Sequence, residues 1–223
     1  VDRLGGWLES LGVEPGERIG VLDWDSHRYL DLYFAVPMHG AALHTVNVRL
    51  TPEQIAWTIR HARDVVLFVH RDFLPLVLAV RSQLPDVRRV VLLRDDDDPL
   101  ELPAGVDADY EPSLAAAAPR RAWPDFAEDT PATVFYTTGT TGEPKGVYFS
   151  HRQIVLHSLT AGLDLAIHDD PFALRGSDVY LPLTPMFHVH AWGLPYLATM
   201  MGMRQVYPGK YEPALLLELL ETH

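Results

Sequence analysis

Cysteine is absent from the 223 residues of the chain. Its absence excludes disulfides, thiol nucleophiles and thiolate metal sites. Positive charge is also scarce: 18 Lys and Arg stand against 30 Asp and Glu, a formal net charge of −12. A general nucleic-acid role needs clustered cations to track a phosphate backbone and is excluded, whereas a small phosphate site is not. Long apolar runs are missing too, because Pro75, Asp164 and Pro195 interrupt the longest candidates before they reach the roughly eighteen residues of a membrane span. Val1-Asp2-Arg3-Leu4 opens an amphipathic repeat rather than a basic, apolar and small-residue series, so no secretory leader is read and the expected location is cytoplasmic. The four carboxylates Asp95 to Asp98, followed by Pro99, read as a solvated loop without function.

What remains is ordinary globular material, 48% hydrophobic, arranged as alternating strands and helices. Val1, Leu4, Leu8 and Leu11 recur at helical spacing, and Gly12 with Pro15-Gly16 supplies the stop. An apolar run over 18–23 is followed by a helical stripe over 26–39. The pattern returns at 43–46 and then at Thr51-Pro52-Glu53-Gln54, where Thr caps, Pro takes the first helical position and Gln can reach back. Strands at 65–69 and 87–93 flank a helix near 73–84. The alternation predicts an α/β fold with largely parallel sheets flanked by helices. Residues 94–129 shift to Asp, Pro and Ala and read as a surface connection with one short helix. A buried strand over 133–137 leads into a Gly- and Thr-rich run, and Ser150-His151-Arg152-Gln153 has the form of a second capping box. The helical segment 214–220 meets the chain end at His223 without a stop signal, so the sequence reads as cut.

The Gly- and Thr-rich run is Thr137-Thr138-Gly139-Thr140-Thr141-Gly142-Glu143-Pro144-Lys145-Gly146. Glycines let backbone N–H groups turn toward an anion, hydroxyls donate hydrogen bonds, and the lysine adds charge: a set suited to the β- and γ-phosphates of ATP. A flexible linker shares the composition but would need neither Tyr136 and a β-branched strand before it nor Pro144-Lys145 after it. The nucleotide-triphosphatase loop requires Gly, four residues, then Gly-Lys-Ser/Thr, and the glycine spacing here does not satisfy it; no GxGxxG fingerprint follows a strand either. The string closely resembles the signature loop of the adenylate-forming superfamily, which includes acyl-CoA synthetases, peptide-synthetase adenylation domains and firefly luciferase. Asn47-Val48-Arg49-Leu50 is similar to an Asn-x-Arg-Leu run found upstream in many members, and the likeness covers essentially the whole chain.

Further on, Pro185-Met186-Phe187-His188-Val189-His190-Ala191-Trp192-Gly193-Leu194-Pro195 sets histidines and large aromatics between Pro and Gly. A core turn and a His-x-His metal site are the alternatives to a pocket wall; metal ranks below packing because no third ligand stands at a recognisable spacing. The segment is similar to the Met-Phe-His-Val-x-Ala-Trp-Gly run beside the acyl site of fatty-acyl-CoA synthetases, with His190 at the x in place of the residue often seen there. An Asp that pairs with an amino-acid ammonium in related enzymes has no counterpart after Asp178.

The resemblance implies a truncated large N-terminal domain, with residues 26–168 as a first αβ subdomain carrying the phosphate loop, 1–25 and 169–223 as parts of a second, and no C-terminal domain. It implies a two-step reaction in which a carboxylate attacks the α-phosphorus of ATP, with Mg2+, and CoA takes the acyl group from the adenylate. Thr137, Thr138, Gly139, Thr140, Thr141, Gly142 and Lys145 would grip the pyrophosphate. His188 would orient the carboxylate, and Trp192 and Gly193 would border the acyl pocket; no protein metal ligand is assigned. The partners implied are a carboxylic acid, ATP and CoA, and a homodimer is a further expectation because such assemblies occur among similar synthetases. Lys210 sits in Pro208-Gly209-Lys210-Tyr211, unlike the family's catalytic lysine; these residues alone are expected to complete neither half-reaction. An aryl, short-chain or amino-acid adenylating enzyme and a non-catalytic nucleotide-binding protein remain the alternatives.

Overall fold

A computed structural model of the chain describes residues 1–96, 101–137, 144–169 and 173–223. Its strands are β1 (Arg18–Leu22), β2 (Ala42–Thr45), β3 (Asp64–His70), β4 (Arg89–Leu93), β5 (Ala108–Asp109), β6 (Pro131–Thr137) and β7 (Lys145–Ser150), joined in one sheet of order β5-β4-β3-β1-β2-β6-β7. All neighbours in that sheet are parallel except β6 and β7. β1, from the segment 1–25, lies in the middle of the strands that follow it. The helices are α1 (Asp2–Ser10), α2 (His27–Met38), α3 (Pro52–Ala62), α4 (Leu74–Val80), α5 (Tyr110–Ala116), α6 (His151–Ala166), α7 (Leu194–Met200) and α8 (Pro213–Thr222). A short parallel pair, β8 (Val179–Tyr180) with β9 (Arg204–Gln205), stands apart.

Successive strand residues point to opposite faces, and the two halves of that alternation build two cores. Ile19, Val21, Val66, Phe68, Val91 and Leu93 pack on one face with apolar residues of α1, α2 and α5. Leu22, Leu67, Val69, Val90 and Leu92 pack on the other with residues of α3 and α4. Burial on both faces explains why β3 and β4 read as nearly continuous apolar runs.

Both capping boxes form as expected. Gln54 N–H donates to Thr51 Oγ1 at 3.3 Å and Thr51 N–H to Gln54 Oε1 at 3.2 Å, starting α3. The Ser150 and Gln153 pair does the same for α6 at 3.3 and 2.9 Å. The expected helix over 73–84 is instead α4 between two 3-10 turns, Arg71–Phe73 and Arg81–Gln83. The connection 94–129 does contain one short helix, α5. Asp95 and Asp96 lie in a solvent-facing loop as read, and they are also paired. Asp95 bonds the buried Arg28 guanidinium and, at 3.1 Å, His70 Nε2, while Asp96 bonds Arg71 and, at 2.7 Å, Arg94; Asp97 and Asp98 lie outside the described residues.

One polar pair crosses the sheet interior. His44 on β2 and Asp64 at the start of β3 are both fully buried and bonded Nδ1 to Oδ2 at 2.6 Å. β1 runs between those strands, and the pair can reach across it because residue 20 is glycine: a Cβ there would lie 2.8 Å from Asp64 Oδ2. Burial pushes the Asp64 carboxyl above its ordinary range, against the pull of the His44 imidazole. Removing one member of such a pair strands the other in a low-dielectric interior. His44→Ala is therefore expected to cost about 3–5 kcal/mol in urea unfolding, and the double change His44→Leu with Asp64→Leu to cost less than His44→Ala alone.

Candidate active site

The site is built at two places on the β6–β7 hairpin. Thr137 and Lys145 are cross-strand partners at its loop end and bracket the residues between them. Of the expected phosphate-binding residues, Thr138, Gly139, Thr140, Thr141 and Gly142 lie outside the described residues; Thr137 and Lys145 are placed opposite each other at the mouth of that loop. β7 itself was not anticipated from the sequence, and it is what puts the lysine there. Beneath the mouth stands Tyr136, paired with Gly146 across the hairpin. Its hydroxyl shares a 2.8 Å hydrogen bond with His61 Nδ1, and its ring lies 5.0 Å from His44 and 5.9 Å, edge-on, from Trp57. Burial pushes the Tyr136 phenol well above its usual range, so it stays a neutral hydrogen-bonding group.

The second place is the segment around Met186, whose backbone is clamped at both polar groups. Met186 N–H donates to Asp25 Oδ1 at 2.9 Å, and its carbonyl accepts from the fully buried Tyr33 hydroxyl at 2.5 Å. The Thr45 hydroxyl donates to the Phe187 carbonyl at 3.3 Å. Downstream of this clamp the chain turns left-handed for five consecutive residues: φ is 48° at Val189, 53° at His190, 48° at Ala191, 58° at Trp192 and 73° at Gly193. Four of the five carry side chains, at roughly 1–2 kcal/mol each for the Cβ clash. Gly193 must remain glycine here, since a Cβ would come within 2.6 Å of the His157 ring. His157 Nε2 donates to the Trp192 carbonyl at 2.9 Å and holds the turn against α6.

The turn, α6 and β7 enclose a cavity of about 230 Å3, walled by Phe149, Ile154, Val189, Trp192 and Tyr196 among others. Trp192 and Gly193, expected at the acyl pocket, both line it; the Trp192 side chain is 62% exposed and so stands at the rim rather than in the core. His188 is exposed, begins the turn with its carbonyl accepting from Ala191 N–H at 3.0 Å, and is not part of the cavity wall. Asp25, Tyr33, His157 and Tyr196 were not singled out from the sequence. They act through contacts with residues far along the chain, and no local spacing marks them. Among the described residues no three His, Asp or Glu side chains converge as a metal site, and no helix is long and apolar enough to cross a membrane.

A family model described as "AMP-binding enzyme" matches residues 1–223. The chain belongs to that family. This AMP-binding chain is 46% identical to a long-chain-fatty-acid–CoA ligase of Thermus thermophilus over 98% of its own length and 38% of the relative's. It is 41% identical to a 3-methylmercaptopropionyl-CoA ligase of Ruegeria lacuscaerulensis over 99% of its own length and 40% of the relative's. It therefore spans about two fifths of these curated relatives. Its fold matches the Mycobacterium tuberculosis fatty acyl CoA synthetase with a TM-score of 0.79 at 21% identity, over 98% of this chain and 39% of that one. The adenylate-forming resemblance and the mainly parallel α/β architecture both hold.

Asp25 gives the clamp a pH dependence. Burial raises its carboxyl from 3.8 to about 6, partly offset by hydrogen bonds from Tyr211 and from Met186 N–H. Between about pH 4 and 6 the folded chain keeps a proton that the unfolded chain has released, so ionising Asp25 lowers stability as pH rises through that window. Asp25→Asn removes this slope. Relative to the variant, the wild type is expected to lose on the order of 3 kcal/mol of unfolding free energy between pH 4 and pH 7, measured by urea titration at each pH.

Proposed function

We propose that this protein activates a carboxylic acid, of the fatty class, with ATP to an acyl-adenylate and transfers the acyl group to the thiol of CoA. The observation that carries the reading is the use of one strand for both ends of the substrate pair. β7 begins with Lys145 at the mouth of the phosphate loop and, four residues on, places Phe149 in the wall of the apolar cavity. The period of two puts both on one side of the strand, about 13 Å apart. An acid whose chain fills the cavity has its carboxylate directed toward the nucleotide along that edge.

In this scheme Thr137, Lys145 and the intervening Thr and Gly residues bind the β- and γ-phosphates and stabilise the charge that develops on departing pyrophosphate. His188, at the start of the left-handed turn, orients the carboxylate. Trp192, with its ring exposed at the rim, closes the cavity over the acyl chain, and Gly193 lets the turn lie against His157. Holding acid and nucleotide in one geometry supplies much of the acceleration expected of such a site. The described residues bring no carboxylate cluster to the hairpin, so no metal-binding role is assigned to them. Lys210 is assigned no catalytic part: it lies 3.8 Å from Asp72 and over the Trp24 ring. A cytoplasmic setting and self-association belong to the same proposal.

Pyrophosphate exchange by the full-length protein with fatty, aromatic and amino acids tests the reading. Fatty acids are expected to support exchange, and exchange with an amino acid alone overturns it. Lys145→Met is expected to slow exchange about 10- to 100-fold, mainly through a higher KM for ATP, while leaving the unfolding midpoint near that of wild type.

A further inference from the structure

His190 occupies the one unspecified position of the acyl-site run that this chain resembles. Its ring is 4% exposed and lines the cavity. It is wedged between aromatic rings, with centroids 5.2 Å from Phe135, 5.9 Å from Phe149 and 6.0 Å from Tyr33. Nε2 is buried and has no hydrogen-bond partner. Burial, with His44 nearby, lowers its basicity to a pKa of about 3, so at neutral pH the ring is an uncharged imidazole with one N–H donor and one acceptor nitrogen.

Three other polar side chains around the cavity have assignments, and the Trp192 indole stands exposed at the rim. His157 Nε2–H is given to the Trp192 carbonyl at 2.9 Å, the Tyr196 hydroxyl to the Tyr33 carbonyl at 3.4 Å, and the Gln153 amide oxygen accepts from Ser150 N–H at 2.9 Å. A buried polar atom left unpaired is costly, and a ligand group that pairs with it recovers that cost on binding. A site with an unpaired hydrogen-bonding group therefore discriminates against an analogue that lacks the matching atom more sharply than an apolar pocket discriminates by size. A leucine would fill the same space among Phe135, Phe149 and Tyr33 without that penalty, so ring packing alone leaves the imidazole unexplained.

Resting on the proposed acyl-activating function, we propose that His190 is a specificity residue whose imidazole hydrogen-bonds a heteroatom carried on the acyl chain. The preferred substrate class is then a carboxylic acid with an oxygen or comparable hydrogen-bonding atom in its chain, in place of an unsubstituted alkyl acid. The left-handed turn is what aims the ring: residue 190 sits at its second position and is directed inward, while Trp192 is left at the rim.

The test compares kcat/KM in pyrophosphate exchange by the full-length protein for hexanoate and for analogues in which one methylene at a time is replaced by oxygen. Wild type is expected to favour at least one oxygen-bearing acid by about 10-fold or more. His190→Leu is expected to abolish that preference, read as the ratio of the two acids within the one variant, and His190→Asn to retain it. Absence of any preference in wild type, or an unchanged ratio in His190→Leu, overturns the inference while exchange with hexanoate leaves the parent reading standing. If no carboxylic acid supports exchange, both fall. Should the leucine variant not fold, the imidazole 15N resonances of His190 in the wild-type protein decide. A shift on adding the favoured oxygen-bearing acid but not hexanoate supports the contact, and equal responses to both overturn it.

Discussion

The backbone of Met186 is held from two sides by residues more than 150 positions away: Asp25 accepts a hydrogen bond from its N–H and the Tyr33 hydroxyl donates one to its carbonyl. Both anchors belong to the region around β1 and α2, the centre of the parallel sheet. Hydrogen bonds to a carboxylate and from a fully buried phenol are among the stronger kinds, because little water competes for them. Through them a late segment of the chain, whose described strands pair with each other and not with the main sheet, is fixed to a rigid core. The cavity depends on that attachment, since its remaining walls come from β7 and α6.

Fixing the segment at Met186 lets the following residues hold an otherwise unfavourable conformation. Four successive side-chain-bearing residues at positive φ do not persist in a free peptide. Here the turn is held upstream by the clamp and downstream by the bond from His157 to the Trp192 carbonyl. The result separates side chains that a regular helix would distribute differently: His190 and Ala191 go inside, and Trp192 goes to the rim. Strain of this kind concentrates where geometry is demanded by a ligand rather than by packing.

The hairpin end of the site has a different support. Tyr136 sits on a stack of His61, Trp57 and His44, and His44 is in turn tied to Asp64 across Gly20. The mouth of the phosphate loop thus stands on a column of aromatic and polar contacts through the sheet. The paired contacts make the column stiff; the unpaired Nε2 of His44 and Oδ1 of Asp64 are its exceptions.

The sequence by itself determined whatever depends on neighbours within a few positions. The two capping boxes, the strand-helix alternation and the order of residues in the phosphate loop are short-range patterns, and the first two appear in the fold as read. The family likeness, too, rests on contiguous strings. Only the tertiary structure decided that Lys145 begins a strand opposite Thr137, that Asp95 and Asp96 face arginines, and that Trp192 is outside while His190 is inside. The bonds behind these outcomes join residues tens to more than a hundred positions apart in most cases, and the left-handed turn overrides local propensity. Such contacts leave no periodic trace in the chain, because what selects them is the space and the polar groups that the rest of the fold leaves open.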